Sequence, residues 1–470
     1  MPANLRSYLD DLGERLQHVE REVDPLTQLG ALCSQSDRPL LFERVKGYPG
    51  WRICDVLVKT RESQAVALRT EPGQVIRRLA AAFRRGPQPT RLVADAPVQE
   101  IVWSGDDVDL RRLPVAVHSI GDSAPYIGSG MNYTVDPDTG IGNVAQLRTQ
   151  INHPRRVAFS MAGRHNYRHY QKYCQRDEPM PMAMVIGHHP AYEIAANWSG
   201  PYGVDEFALA GALLDETVEL VPCKTIPLNV PAHAEIVIEG WVPPNETELE
   251  GPFGEFQGYI SDEVRPKPVW NVTAITMRRD AIYRHTQATV FTDHQPLCSM
   301  SQEARLLEQI AEVSGAIEIH DVYVPPWAGN YLVVLQVTPR FEGQAKDALL
   351  TALSGSILHA KVVVAVDPDV DIYDGRDLWW AVATRVNPAT DVIQLAGVRN
   401  HRLDISIPEI VGPGGHYERI GGRLGIDATK PSLFRPEERK SFDRVRPMGA
   451  GEVRLDDFLK PEAVSLAPGR

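Results

Sequence analysis

Ala234-Glu235-Ile236-Val237-Ile238-Glu239-Gly240-Trp241-Val242 is the stretch that sets the fold class, because Ile236 and Ile238 alternate with their neighbours before Gly240-Trp241, as in a half-buried strand. On both sides the texture repeats. From about Ile101 to His285, apolar runs at 126–133, 157–161, 182–186 and 269–277 are broken by Gly, Pro, Asn and Asp, with little helical period. Asp136-Pro137-Asp138 and Arg278-Arg279-Asp280 read as turns between them. Strands this short and dense predict a barrel or sandwich, with helical excursions at 166–173 and 205–214.

Outward from this middle, the pattern becomes mixed. Leu5, Tyr8, Leu9, Leu12 and Leu16 recur at helical spacing behind Asn4, a plausible N-cap. A strand is expected at 39–42, a turn at 47–50, and a helix through Val75, Leu79, Ala82 and Phe83 that stops at Gly86-Pro87. Toward the C-terminus, Ser301 opens a predicted helix that Gly315 closes. Strands at 317–324, 331–337 and 362–366 then alternate with helices at 345–353 and 377–386. From Ile407 onward the chain is rich in Pro and Gly, including Gly421-Gly422, and reads as a docking tail. The expectation is three parts: an N-terminal α/β domain (1–105), a central β-barrel domain (106–300), and a C-terminal α/β domain with the tail (301–470).

The bulk numbers bound the function. A chain of 470 residues is long enough for about two to four domains. A net charge of -12 argues against nucleic acid or an anionic membrane as the main partner, so an anionic ligand needs a local cation. No leader-like start and no apolar run of spanning length is seen, and a cytoplasmic protein is expected. The five cysteines are scattered without Cys-x-x-Cys spacing, which predicts free, buried thiols.

Chemistry concentrates around Glu250-Gly251-Pro252-Phe253-Gly254-Glu255. On a straight strand two residues five apart face opposite sides, so only a sharp bend aims both carboxylates at one point. Alone, the hexapeptide reads more readily as a solvated acidic turn. Arg148 offers a planar fork for a carboxylate, either a substrate's or those of Glu250 and Glu255. Asn143, His165 and Glu206 supply oxygen and nitrogen donors suited to a hard divalent cation, although acid in a helix's first turn needs no ligand to explain it. His285 and His294 line a pocket or form a polar loop. Trp379-Trp380 reads as core or interface packing, and Gly412-Pro413-Gly414-Gly415 lacks the Lys-Ser/Thr ending of a phosphate loop.

Together, the runs at 143–148, 205–214, 218–223, 230–237, 250–255 and 367–385 resemble, in order and spacing, the UbiD-type decarboxylases that use prenylated flavin mononucleotide (prFMN). The resemblance implies a flavin-binding split β-barrel between an N-terminal α/β domain and a C-terminal α/β oligomerisation domain. It implies reversible, non-oxidative decarboxylation of an aromatic, heteroaromatic or α,β-unsaturated acid through a covalent prFMN adduct. By position, Arg148, Glu250 and Glu255 match the catalytic network, with Glu255 as proton donor. Asn143, His165 and Glu206 match the ligands of Mn2+ or Mg2+ beside K+, and these residues together with Arg148 and Lys361 match the cofactor contacts. Glu206 fits the spacing better than Glu235. The implied partners are a carboxylic acid, CO2, a flavin prenyltransferase that supplies the cofactor, and further copies of the chain as a homodimer or larger. The polar surroundings of His285 and His294 favour a heteroaromatic acid. A flavin reductase and a non-catalytic flavin- or metal-binding subunit are the alternatives.

Overall fold

The computed structural model describes residues 2–458 apart from 162–163, 199, 262–263, 290–291, 314–316, 355–359 and 413–416. Gly315, Pro413, Gly414, Gly415 and the last stretch of the expected tail lie outside the described residues.

Strand Ile236–Val242 sits between Arg265–Met277 and Met180–Ile186, antiparallel to both, inside a curled half-barrel sheet. That sheet has ten strands among the described residues, running from Tyr126–Ile127 to Gly142–Gln146. The expected half-burial is corrected here: Ile236, Val237, Ile238, Glu239 and Gly240 are all buried. Both faces are covered. Ile236 and Ile238 join one apolar core with Met182, Met184 and Trp270, whereas Val237 joins another with Ala183, Val185 and the helices. Alternation therefore sorts the side chains between two cores rather than between core and water. Gly240 marks a register shift after Glu239, and a Cβ there would lie 2.1 Å from the Asn271 carbonyl oxygen. Only glycine fits.

The N-terminal part is α/β as expected. Helix Leu5–Leu12 is closed by an Asn4–Ser7 capping box and buries Leu5, Tyr8, Leu9 and Leu12, while Leu16 falls beyond the helix. Helix Val75–Arg85 ends at Gly86, at φ 73°. Its neighbours bring one surprise: strand Ile282–Arg284, from just before the C-terminal part, pairs in parallel with Arg52–Asp55. A late segment thus completes the early sheet and brings Arg284 beside Asp55.

The C-terminal part is a six-stranded sheet among the described residues, with helices Gln344–Ser354 and Gly375–Arg385. Two expectations fail. Helix His294–Val313 begins seven residues before Ser301, because Pro296 lies in the first turn, where no intrahelical donor is lost. Much of the supposed tail is ordered sheet: Tyr417–Ala428 lies between Val362–Val366 and Val392–Asn400. Its Gly421 admits Ile407, whose Cδ1 would lie 2.6 Å from a Cβ.

Candidate functional site

The Glu250 to Glu255 bend is built as a clamp. Strand Thr247–Glu250 ends on Gly251, whose φ of 107° favours glycine, and the Gly251-Pro252 peptide is cis. Ser123 N–H donates to the Pro252 carbonyl at 3.2 Å, and Gly254 N–H donates to Asp122 Oδ1 at 2.7 Å. The turn does bring both carboxylates to one point. Arg148 Nε and Nη2 donate to Glu250 Oε1 and Oε2 at 2.8 and 3.0 Å, and Nη1 donates to Glu255 Oε1. The guanidinium also lies 5.0 Å from the Phe253 ring. The two acids are not equivalent. Glu250 is wholly buried with both oxygens on Arg148, whereas the Glu255 side chain is 8% exposed and no partner is seen for its Oε2 among the described residues.

Asn143, His165 and Glu206 also converge. Glu206 opens helix Glu206–Leu214, which Asp205 caps, and its Oε2 accepts the Val144 N–H at 2.6 Å. His165 opens helix His165–Gln175, and its Nδ1 lies 3.0 Å from Asn143 Oδ1. That same Oδ1 faces Glu206 Oε1 at 3.2 Å. An acceptor facing acceptors invites turning the amide over, but a relay opposes it. Asn166 Nδ2 donates to the Asn132 carbonyl, so Asn166 Oδ1 must face Asn143 and receive its Nδ2 hydrogen. With His165 in its Nε2–H tautomer, its Nδ1, Asn143 Oδ1 and Glu206 Oε1 bring three lone-pair atoms together. Burial pushes the Glu206 carboxyl well above its ordinary range, and burial with Arg164 and Arg168 nearby pushes His165 down. With Glu206 ionised by a bound cation, its carboxylate, a neutral imidazole and an amide oxygen would form a donor set suited to a divalent cation.

The other candidates separate. Glu235 is taken by Arg6, which donates to both its oxygens at 3.0 Å, and by the Ile282 N–H, so it is structural. Lys361 Nζ donates to Asp404 Oδ1 at 2.9 Å and Ser406 Oγ at 2.6 Å, and no bond joins it to either cluster among the described residues. His285 is enclosed, its ring centroid 4.7 Å from that of His118, while His294 is only partly buried and stacks on Phe256 at 5.6 Å between centroids. Burial pushes His118 and His294 down to about 4, so both are neutral imidazoles. Trp379 and Trp380 stand half-exposed, which rules out core packing.

Two groupings were not read from the sequence. Arg284 is buried among Asp55, Glu193 and Asp293, and Tyr202 packs its ring against His165. A lone Tyr in a loop and three acids spread along the chain carry no local pattern that could have shown them.

Profiles of the 3-octaprenyl-4-hydroxybenzoate carboxy-lyases match three consecutive blocks: the N-terminal domain at 9–83, the Rift-related domain at 91–290 and the C-terminal domain at 295–428. The UbiD-class enzyme HmfF from Pelotomaculum thermopropionicum, in complex with FMN, is 36% identical with a TM-score of 0.88, over 97% of this chain and 100% of that one. An evolved dimeric form of HmfF, in complex with prFMN, is 34% identical with a TM-score of 0.86, over 97% of this chain and 100% of that one. The apo 3,4-dihydroxybenzoic acid decarboxylase from Enterobacter cloacae is 28% identical with a TM-score of 0.86, over 98% and 99% of the two chains.

Proposed function

The chain belongs to the UbiD family of carboxy-lyases, and on that premise we propose that it decarboxylates an aromatic, heteroaromatic or α,β-unsaturated acid reversibly on prFMN, with Glu255 as proton donor. The observation that carries this reading is the asymmetry of the two acids on Arg148. A carboxylate with both oxygens committed can only anchor, whereas one with a free oxygen can also hold a proton.

Loss of CO2 from an sp² carbon would leave an unstabilised carbanion, and prFMN, when bound, supplies the electron sink. The chain's own residues do the rest. Three of the five guanidinium N–H groups of Arg148 go to Glu250 and Glu255, which leaves one on each Nη to hold the substrate carboxylate. Glu250 fixes the plane of that fork. Glu255 delivers its proton from Oε2 to the carbon that CO2 leaves, and takes it back in the carboxylating direction. His118 and His294, both neutral, and Phe256 give the ring of a heteroaromatic acid a polar, uncharged wall.

Asn143, His165 and Glu206 would hold Mn2+ or Mg2+, giving an acidic protein a cation for the flavin phosphate. Their spacing supports this. Asn143 Oδ1 lies 3.0 Å from His165 Nδ1 and 3.2 Å from Glu206 Oε1, so the three donors stand close enough together that one ion would be within reach of all of them. Lys361, engaged by Asp404 and Ser406, is given no part in this reading.

The test is purification with and without a co-expressed flavin prenyltransferase, followed by absorbance, metal content and CO2 release from a panel of aromatic and heteroaromatic acids. Modified flavin, Mn2+ and CO2 release should appear together only with the prenyltransferase. If prFMN is never retained, the proposal fails.

A further inference from the structure

We infer that Tyr202 is the positioning residue for His165, holding its imidazole toward Asn143 and Glu206; the inference rests on the metal reading above. His165 is the first residue of its helix, so no preceding turn buttresses the ring, and the Arg164 side chain makes no cap bond there. Among the described residues, the ring of Tyr202 walls it in. It meets His165 edge-on at 5.2 Å and 84°.

The same ring lies along one stripe of the helix. It meets His169 at 5.7 Å and the Arg168 guanidinium at 4.2 Å, with Lys172 Nζ at 5.8 Å. Residues 165, 168, 169 and 172 follow the spacing of a single helix face, so one ring covers two turns. Tyr202 is itself tethered. Its hydroxyl donates to Asp136 Oδ2, and Lys172 Nζ donates to both oxygens of that carboxylate at 2.7 and 2.8 Å. Asp136 closes the hairpin whose return strand, Gly142–Gln146, carries Asn143, and its N–H donates to the Ile141 carbonyl at 2.9 Å. Glu206 follows Tyr202 in the chain by only four residues. Tyr202 therefore joins the three elements that carry the three donors. Groups that orient a ligating histidine typically change metal affinity about 10- to 100-fold when removed.

The test uses the full chain and Mn2+ itself, with free Mn2+ followed by its paramagnetic resonance signal during titration. Tyr202→Ala should weaken Mn2+ binding about tenfold or more. Tyr202→Phe keeps the ring wall and loses only the Asp136 tether, so it should fall between wild type and Tyr202→Ala. Thermal midpoints should stay near wild type, because Tyr202 is half-buried in a loop. A merely structural role would move the midpoint and leave affinity unchanged. Equal Mn2+ affinity in wild type and Tyr202→Ala overturns this inference alone. Equal affinity in wild type and Asn143→Ala overturns the metal reading, and this inference with it.

Discussion

Arg148 and Arg284 each gather carboxylates around one guanidinium, yet they stand in opposite relation to solvent. Arg284 is fully enclosed, as are the carboxylates of Asp55 and Asp293, and Glu193 is 1% exposed. Its five N–H groups are all used, on Asp55, Glu193, Asp293 and the His285 carbonyl. Arg148 is 17% exposed and, among the described residues, keeps two N–H groups free, and Glu255 beside it keeps an oxygen free. A saturated guanidinium, with every N–H group used, can only hold elements together, even though Asp55 Oδ2 and Asp293 Oδ1 lack hydrogen-bond partners among the described residues, whereas an unsaturated one, with N–H groups left, has capacity for substrate. Asp293 directly precedes His294 of the site's wall, and Arg284 directly precedes His285, whose ring packs against His118, so the Arg284 cluster is joined through the chain to the residues that line the site.

The largest expected effect tests the unsaturated side. Glu255→Gln keeps an oxygen for Arg148 Nη1 but loses the transferable proton, so turnover should fall about 10²- to 10⁴-fold with flavin still bound. Undiminished CO2 release in this variant would remove Glu255 from the role of donor. Next is the saturated side. Arg284→Ala leaves three enclosed carboxyl groups without their cation, and should cost about 3–5 kcal/mol of stability in urea unfolding. An unchanged midpoint would show that the carboxylates find other neutralisation, and the contrast between the clusters would lose its basis.

Arg148→Lys should have a smaller effect. The ammonium cannot keep the bidentate grip on Glu250 while also reaching Glu255 and substrate, so kcat/KM should fall by about 10- to 100-fold, equivalent to about 1.5–3 kcal/mol for one charged hydrogen bond. Stability should barely change, because Arg148 is partly exposed. Wild-type kcat/KM would show that a point charge suffices and that the fork has no special role.

The two clusters also differ in how far they could be read in advance. Glu250 and Glu255 share one hexapeptide, and its glycines and proline announced a bend, so the clamp was legible once Arg148 was placed beside it. Asp55, Glu193, Arg284 and Asp293 lie in four separate segments. They meet only because strand Ile282–Arg284 joins a sheet begun more than two hundred residues earlier, a long-range pairing with no local pattern. Strand Val362–Val366 was read to the residue from its run of valines, and helix Val75–Arg85 from its apolar stripe and Gly86. Strand Tyr417–Ala428 was hidden by Gly421-Gly422, because glycine demanded by packing looks in sequence like glycine demanded by a loop.

The smallest effect repeats the carboxylate-to-amide exchange at the other cluster. Burial, then the neighbouring Asp293 charge, pushes the Asp55 carboxyl up from 3.8 to about 8. Between those values folded Asp55 keeps a proton that the unfolded chain has released, so folding takes up a proton and stability falls as pH rises through the window. Above about pH 8 folded Asp55 also ionises and its contribution levels off. Asp55→Asn mimics the protonated form, keeping an oxygen for Arg284 Nη1 and the Val56 N–H while never ionising. Its urea midpoint should therefore fall less than that of wild type between about pH 5 and about pH 8, with turnover near wild type because Asp55 touches neither Arg148 nor Glu255. Parallel pH curves would show that Asp55 is already ionised in the folded chain. Loss of turnover would show that the enclosed cluster is not confined to support, since the same exchange of a carboxyl for an amide would then silence both sites.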